Sequence, residues 1–218
     1  MFLDSPRGFR DQARVAERLG MLGSPGIMPL QEWATELSLQ RRLPVPHFDP
    51  AGGGTGARVL ILHESPGPAA PGGNRPGSGF ASIDNDDPAA AQMWQLHSDV
   101  GPNQSDCVHW NIVPWHLPAG VTKPDAADLR DGSTAVLDLL RLLRQVEVVI
   151  LSGLLAQKGW HRYVRPARRD LPVTDTWHPS PLSMKQPGKR EELRAALAAA
   201  ERRIEVTGSM RSRTAAAV

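Results

Sequence analysis

Four short runs of consecutive apolar residues stand out in the middle of the chain, and each is followed by a loop. They are Arg58–His63, Val108–Val113, Glu147–Ser152 and Val173–Trp177. Continuous rather than alternating apolar runs are typical of strands that are buried on both faces of a parallel sheet. The loops that follow such strands leave one edge of the sheet, and we expect functional side chains there.

The segments between and before these runs have apolar residues at helical spacing. One helix is predicted to open at Asp87-Pro88, an N-cap residue followed by a first-turn proline. The other predicted helices are Arg7–Leu19, Pro29–Arg42, Asp125–Arg144 and Gly188–Arg203. Strands that alternate with helices predict an α/β sandwich with a short parallel sheet.

The same pattern divides the chain into three parts. We expect residues 1–56 to be a helical lead-in packed on the main domain, because stretches rich in proline and glycine interrupt regular structure before residue 57. Residues 57–204 are predicted to form the α/β domain. Residues 205–218 have no apolar periodicity, and they are predicted to be a flexible C-terminal tail.

Composition excludes several classes of protein. The chain has 218 residues, of which 40% are hydrophobic and 22% are charged, as is typical of a globular protein that buries a core. A single cysteine, Cys107, excludes a disulfide scaffold, a cysteine zinc site and a protein-bound iron–sulfur cluster. No apolar run approaches the roughly 20 residues of a membrane span, and no signal-peptide core is seen. We therefore expect a cytoplasmic protein with no membrane partner. A monomer is expected because the chain has no heptads and no obvious apolar stripe.

Basic residues are concentrated in two stretches, although the formal net charge is only +2. Such clusters suit a phosphate backbone, and an ordinary solvated surface is the alternative interpretation. The first cluster contains Arg162, Arg165, Arg168 and Arg169, and the second contains Lys185, Lys189 and Arg190.

The loops after the apolar runs carry four distinctive segments. They are His178–Ser183, which reads His-Pro-Ser-Pro-Leu-Ser, His63–Gly67, which reads His-Glu-Ser-Pro-Gly, Asn111 within Trp-Asn-Ile-Val-Pro, and the glycine-rich Gly72–Phe80. Together they resemble the motifs of the uracil-DNA glycosylase superfamily. The first is nearly residue for residue the last motif of the classical members, and the second is similar to the first motif, which reads Gly-Gln-Asp-Pro-Tyr or Gly-Glu-Ala-Pro-Gly in different branches. The Asn111 segment is similar to the middle motif, and the glycine-rich segment resembles an Asn-Arg region of the branches that contain an iron–sulfur cluster.

The resemblance covers residues 57–204 in the family's order. It implies a three-layer αβα sandwich with a short four-stranded parallel sheet. It also implies a monofunctional DNA glycosylase of base excision repair, which flips a base out of single- or double-stranded DNA and hydrolyses its N-glycosidic bond. Uracil is the first candidate for that base. Water is the co-substrate, no cofactor is implied, and we expect the enzyme in the cytoplasm, at the nucleoid when it acts on DNA.

Residues at the matching positions take the family's roles as expectations. His178 would stabilise negative charge on the departing base, and Asn111 would read the edge of that base with its amide donor and acceptor. Phe80 would stack on the base, although an aromatic residue after glycines can equally fill a core. Leu182 matches the apolar wedge that fills the gap left by the extruded base. The other expected contacts are His63, Pro66 and Gly67 with the base, and Ser180, Ser183, Lys185 and Lys189 with DNA.

Two departures from the family bear on catalysis. Ser65 stands where the classical motif has Asp, and this catalytic candidate is a poor base because its hydroxyl is neutral. Glu64 is therefore the first candidate for positioning the attacking water. Asp84 is the second, although Asp84–Asp87 can also form a turn with an N-cap. In addition, His63 replaces the family's usual Gly.

Three alternative functions stay open. The enzyme could excise a different modified, deaminated or damaged base, perhaps in foreign DNA, because His63 and the wider glycine-rich loop alter the first motif. It could instead bind uracil or abasic DNA with little turnover, because Ser65 replaces the acid. The third alternative is an unrelated α/β hydrolase of nucleosides or small esters. No metal is expected, because the spacing of His109 and His116 matches no zinc signature.

Overall fold

The computed structural model describes residues 3–67 and 77–215, with side chains as far as residue 210. Within these residues there are two parallel sheets. The strands are β1 His47–Phe48, β2 Val59–His63, β3 Phe80–Ala81, β4 Cys107–Asn111, β5 Val148–Ser152 and β6 Val173–Thr176. The main sheet has the strand order β4-β2-β5-β6, and β1 pairs with β3 in the smaller sheet.

Helices cover both faces of the main sheet. They are α1 Gln12–Leu19, α2 Met28–Arg41, α3 Pro88–Val100, α4 Ala126–Leu142, α5 Leu154–Gly159, α6 Pro181–Met184 and α7 Lys189–Ala215. One apolar cluster joins the sheet to α2, α4 and α5, and a second joins the opposite face to α3 and α7. The predicted fold class, a three-layer αβα sandwich with a four-stranded parallel sheet, is therefore confirmed.

Alternate side chains of the central strand belong to opposite layers. Leu60 and Leu62 of β2 lie in the cluster with α2 and α4, whereas Val59 and Ile61 lie in the cluster with α3 and α7. All four are fully buried. This burial explains the continuous apolar run, because a parallel strand with a helix layer on each face has no polar side.

The C-terminal prediction is wrong as far as Ala215, because α7 continues past residue 204 to that residue. The Arg58 guanidinium donates to the Ile204 carbonyl, and also to the Thr207 hydroxyl at 2.8 Å. The segment contains one glycine, Gly208, and no proline, so its backbone is able to continue the helix. These contacts hold the helix without the apolar periodicity on which the sequence prediction depended.

Residues before β2 contact the main domain at several points. Arg18 of α1 forms buried ion pairs with Asp49 and with Asp84, the latter at 3.1 Å. Arg41 of α2 pairs with Asp131 of α4 at 2.8 Å. Within the described residues, no helix combines the length and the apolar character that a membrane span requires.

Candidate active site

The carboxyl edge of the main sheet brings together side chains from three of the predicted motifs. His63 ends β2, Asn111 ends β4, and His178 follows β6 by two residues. His63 and Asn111 are register partners on neighbouring parallel strands, so their side chains project from the same face of the sheet. The His63 ring lies 6.0 Å from the His178 ring, centroid to centroid, and nearly perpendicular to it.

A backbone hydrogen bond determines which nitrogen of His178 carries the proton. The Ser180 N–H donates to His178 Nδ1 at 3.2 Å, so Nδ1 acts as the acceptor and the neutral ring carries its hydrogen on Nε2. Burial lowers the pKa of His178 from 6.5, and the negative charge of Asp87 partly opposes that shift. His178 therefore offers an N–H donor from a neutral ring at physiological pH.

A glycine at the end of β5 allows His178 to come close to the sheet. Gly153 has φ 103°, a conformation that disfavours residues with a side chain. A Cβ atom at this position would lie 3.1 Å from the Cβ of His178. Both the backbone conformation and the close contact thus require a small residue beside the His178 loop.

Asn111 has the properties of a residue that reads a ligand. The residue is 7% exposed, and its amide makes no hydrogen bond with any residue that the structure describes, although its polar atoms are not among the fully enclosed ones. An amide carries both a donor and an acceptor, so both groups are available at this edge. A ligand that reaches this edge with a complementary pair of polar atoms would satisfy both.

The loop after β2 places Glu64 beside this edge. The Glu64 carbonyl accepts from the Val113 N–H at 3.0 Å, which ties the loop to the end of β4. Burial raises the pKa of the Glu64 carboxyl, and the positive charge of Lys123 partly opposes the shift. Ser65 and Pro66 are half-buried and Gly67 is exposed. Glu64 itself is half-buried, so its carboxyl group is partly accessible to solvent.

Asp84 lies in a different setting from Glu64. It is fully buried, and the Arg18 guanidinium donates to it at 3.1 Å. Burial and the nearby charge of Asp49 raise the pKa of Asp84 to about 6, against the opposing effect of Arg18. The second candidate for positioning water is thus enclosed in an ion network. The N-cap reading of the same acidic segment is confirmed, because Asp87 accepts from two backbone N–H groups at the start of α3.

Phe80 lies in a small core rather than at an open surface. It is 4% exposed and packs in a cluster with Phe9 and Val15. Its ring centroid is 5.6 Å from that of Phe9 and 5.6 Å from that of His47. Phe80 therefore fills a core, which is the alternative to base stacking that the sequence analysis left open. The rest of the glycine-rich motif, through residue 76, lies outside the described residues.

The expected DNA contacts lie on and around α6. Ser180 caps this short helix, since its hydroxyl accepts from the Ser183 N–H at 3.4 Å. Leu182 is 80% exposed, and Lys185 at the end of the helix is also exposed. The Lys189 ammonium lies 3.6 Å from the centroid of the Trp177 ring, in a cation–π contact. An apolar side chain and one lysine are thus exposed on the segment that follows His178, and a second lysine is half-buried against Trp177.

Sequence reasoning missed the role of two buried histidines beneath the edge, because it considered His109 only as a metal ligand and did not single out His97. His109 Nδ1 lies 3.3 Å from His63 Nε2, and the His97 ring meets the His109 ring edge-on at 5.1 Å. Burial lowers the pKa of His63 to about 3 and that of His97 to about 4, and it lowers the pKa of His109 well below 6.5. His109 and Asn111 are two residues apart on one strand, the spacing that places side chains on the same face.

Metal binding finds no support among the described residues, where no group of three or more His, Cys, Asp or Glu side chains is arranged to hold an ion.

Comparison with known proteins identifies the family of the chain. The model of the uracil DNA glycosylase superfamily matches residues 50–200, more than half of the chain, and includes the ends of β2, β4 and β6 described above. A search of curated proteins found no match. The match to the family model suggests DNA glycosylase activity, and the chain belongs to the uracil DNA glycosylase superfamily.

Proposed function

We propose that this protein is a monofunctional glycosylase that removes uracil from DNA and leaves an abasic site. The observation that carries the proposal is that one sheet edge holds both an amide with no hydrogen-bond partner among the described residues and a histidine whose N–H donor is fixed. Asn111 supplies the amide and His178 supplies the donor. Membership of the superfamily supports the reaction class, and the identity of the base rests on the chemistry of these two side chains.

Asn111 is suited to the edge of uracil. Uracil presents an N–H group flanked by carbonyl oxygens, so one amide side chain donates to a carbonyl and accepts from the N–H. Cytosine presents a ring-nitrogen acceptor beside an amine at the corresponding positions. In the orientation that suits uracil, the amide donor would then face the amine donor of cytosine and the amide acceptor would face its ring-nitrogen acceptor. An amide held in the orientation that uracil requires would therefore favour uracil over cytosine.

His178 acts on the bond that breaks. When the bond between C1′ of the sugar and N1 of uracil breaks, its electron pair goes to the base and the sugar becomes oxocarbenium-like. The Nε2–H of His178 donates to a carbonyl oxygen of the departing base, where the negative charge is delocalised. Because the donor is already oriented by Ser180, it needs no rearrangement as the charge develops.

Glu64 is the proposed acceptor for the attacking water. Water adds its oxygen to C1′ and loses a proton, and the released base gains a proton, so that the products are free uracil and an abasic sugar. Burial raises the pKa of Glu64, which makes its carboxylate a stronger base than an exposed Glu. Ser65, next in the chain, is a neutral group in the same loop and is the weaker candidate.

DNA contacts are proposed for the segment after His178. Leu182 would enter the base stack where the nucleotide leaves it. Ser180 and Ser183 would bind phosphate oxygens through their hydroxyl and backbone groups, and Lys185 and Lys189 would add positive charge. The high exposure of Leu182 supports this assignment, because an apolar side chain at the surface gains from burial in DNA.

Single-turnover excision of uracil from end-labelled DNA, followed by alkaline cleavage of abasic sites, tests the proposal. His178→Ala is expected to slow excision by about 100-fold or more, as loss of an oriented donor does, while DNA binding persists. The matched control is His161→Ala, which removes an exposed histidine paired with Asp175 and is expected to leave the rate unchanged. Equal rates for His178→Ala and the parent would refute the assignment of the leaving-group role.

The alternatives give different results on the same gel. A parent protein that binds uracil-containing DNA tightly and releases no base would be a binding module, as the serine at position 65 suggests. Excision of a modified base without excision of uracil would keep the enzyme class and change the substrate. Activity on free nucleosides without affinity for DNA would point to a hydrolase of small molecules.

A further inference from the structure

His63 occupies the middle of the proposed base site. Its strand, β2, lies beside β4, which ends in Asn111, and on the other side beside β5, with β6 and the His178 loop beyond it. His63 is the register partner of Asn111, and its ring is 6.0 Å from that of His178. A base that contacts both Asn111 and His178 therefore lies against the His63 ring.

The two nitrogens of His63 are in different environments. Nε2 is 3.3 Å from Nδ1 of His109, which is hydrogen-bonding distance, and the planes of the two rings are nearly parallel. Nδ1 makes no hydrogen bond with any residue within the described ranges, and the side chain is only half-buried. One nitrogen is thus held by the protein, and the other is available to a ligand.

The hydrogen bond between the two histidines couples their tautomers. If His109 Nδ1 donates, then His63 Nε2 accepts, and the proton of the neutral His63 ring resides on Nδ1. If His63 Nε2 donates instead, then its Nδ1 carries a lone pair. Burial keeps both rings neutral, because it lowers the pKa of His63 to about 3 and the pKa of His109 well below 6.5. The state of His109 therefore decides whether His63 offers a donor or an acceptor.

His109 is itself held from beneath and does not reach the surface. It is buried on β4, and the His97 ring packs edge-on against it at 5.1 Å. His97 is oriented in turn by a hydrogen bond of 3.3 Å between its Nδ1 and the Pro102 carbonyl. Because a carbonyl only accepts, His97 Nδ1 is the donor. The hydrogen bond to His63 therefore connects His109 to a base bound at this edge.

We propose that His63 contacts the extruded base through Nδ1 and determines base specificity, and that His109 is a positioning residue that sets the tautomer of His63. The inference rests on the proposed glycosylase function and deepens it. The substrate class is a nucleobase with a carbonyl oxygen at the edge that faces His63. In uracil the N–H group is already paired with Asn111, so His63 donates from Nδ1 to a carbonyl oxygen.

A chemical double-mutant cycle tests the contact. DNA containing uracil, 2-thiouracil or 4-thiouracil is used, because sulfur accepts hydrogen bonds more weakly than oxygen does. In the parent protein, thio-substitution of the carbonyl that faces His63 is expected to slow excision. His63→Ala is expected to slow excision of uracil by about tenfold and to abolish the penalty at that one position. His63→Asn, which keeps a donor and an acceptor, is expected to restore part of both effects.

Two further measurements separate the contact from a structural role. Binding to DNA that carries an abasic site is expected to be equal in the parent, His63→Ala and His109→Leu, because there is no base to contact. His109→Leu is expected to reduce the thio penalty, since His63 loses its oriented tautomer. Its loss of thermal stability is expected to be no larger than that of an ordinary substitution at a buried position. His161→Ala again serves as the control that should match the parent throughout.

Each outcome bears on a specific statement. Equal thio penalties in the parent and His63→Ala would overturn the base contact while leaving the proposed function intact. A uniform slowing on all three bases, together with weaker binding to abasic DNA, would overturn it in favour of a structural role. A parent protein that releases none of the three bases would overturn the proposed function itself. If thio-substitution slows excision by His109→Leu as much as it slows excision by the parent, then His109 does not set the tautomer of His63.

Discussion

A single backbone hydrogen bond sets the chemistry of His178. The Ser180 N–H occupies Nδ1, so protonation of the ring at that nitrogen would turn an acceptor into a donor and break the bond. Burial also disfavours the charged ring and lowers its pKa from 6.5. Both effects act in the same direction, since each stabilises the neutral form that donates from Nε2.

The pH dependence of excision follows from this environment. Because the pKa of His178 in the folded protein is lowered, the neutral ring persists from alkaline pH down through 6.5, and it is lost only at more acidic pH. We expect a rate that is level between pH 7 and pH 8.5 and that falls below pH 6.5, where Glu64 protonation also contributes. The NMR resonances of the His178 ring, followed in the same titration, assign the step to this residue.

Asp87→Asn provides the matched variant for this titration. The negative charge of Asp87 raises the pKa of His178, so its removal is expected to shift the midpoint of the His178 resonances to lower pH. Asn also serves well as an N-cap, so α3 is expected to persist. A midpoint that stays in place, or that lies above 6.5 in the parent, would contradict the assigned environment.

At the level of single residues, sequence motifs predicted part of the candidate site, whereas the contacts between residues on different strands were not predictable from the sequence. His178 and Asn111 stand in recognisable sequence contexts, and the sheet brings both to one edge. The bond between His63 and His109 joins residues 46 positions apart on different strands, and it depends on a strand register that no local pattern encodes. The burial of Asp84 depends likewise on Arg18, which arrives from a distant helix.

The strands of the main sheet and three of the helices were predicted within one or two residues, whereas α1 begins at Gln12 rather than Arg7 and α7 continues to Ala215. The apolar runs became β2, β4, β5 and β6, and the helices opened by Asp87 and Asp125 begin at those caps. The elements that were missed are short. The two-residue strands β1 and β3 and the helices α5 and α6 contain too few residues to display a period. One of them, α6, carries the residues proposed to meet DNA.

The role of α6 can be tested at its most exposed residue. Leu182 is 80% exposed, so Leu182→Ala is expected to change stability by less than about 0.5 kcal/mol. Excision from double-stranded DNA is expected to slow, because the wedge no longer fills the gap in the base stack. Excision from single-stranded DNA, in which there is no pair to replace, is expected to change little. Single-turnover rates on both substrates give the comparison.

Leu39→Ala is the control for this experiment. Leu39 is exposed to a similar extent but lies on α2, and its truncation is expected to leave both rates at the parent values. Equal slowing of Leu182→Ala on single- and double-stranded substrates would assign Leu182 to another role. Unchanged rates on both would remove it from the DNA interface.

For the whole molecule, the first helices are joined to the sheet domain by a buried charge network. Arg18 of α1 pairs with Asp49 and with Asp84, and all three side chains are buried. The Ser82 hydroxyl donates to Asp49, which joins the residue after β3 to the residue after β1. Arg18 therefore holds together segments that are 31 and 66 residues away from it in the sequence.

Arg18→Leu is expected to be one of the most destabilising substitutions in the protein. It leaves two buried carboxylates without their cation, and removal of one partner from a buried ion pair typically costs about 3–5 kcal/mol. The pKa of Asp84 is already raised to about 6, and loss of Arg18, which opposes that shift, raises it further. The folded state then binds the proton more strongly than the unfolded state does. Stability from this group is therefore present at low pH and lost as pH rises through the folded pKa.

Urea unfolding of Arg18→Leu and of the parent at two pH values tests this argument. The substitution should lower the free energy of unfolding more at pH 8 than at pH 5. Arg14→Leu, at an exposed ion pair with Asp11 on the same helix, should change it little at either pH. An equal loss for Arg18→Leu at both pH values would mean that packing of the side chain, rather than its charge, joins the first helices to the domain.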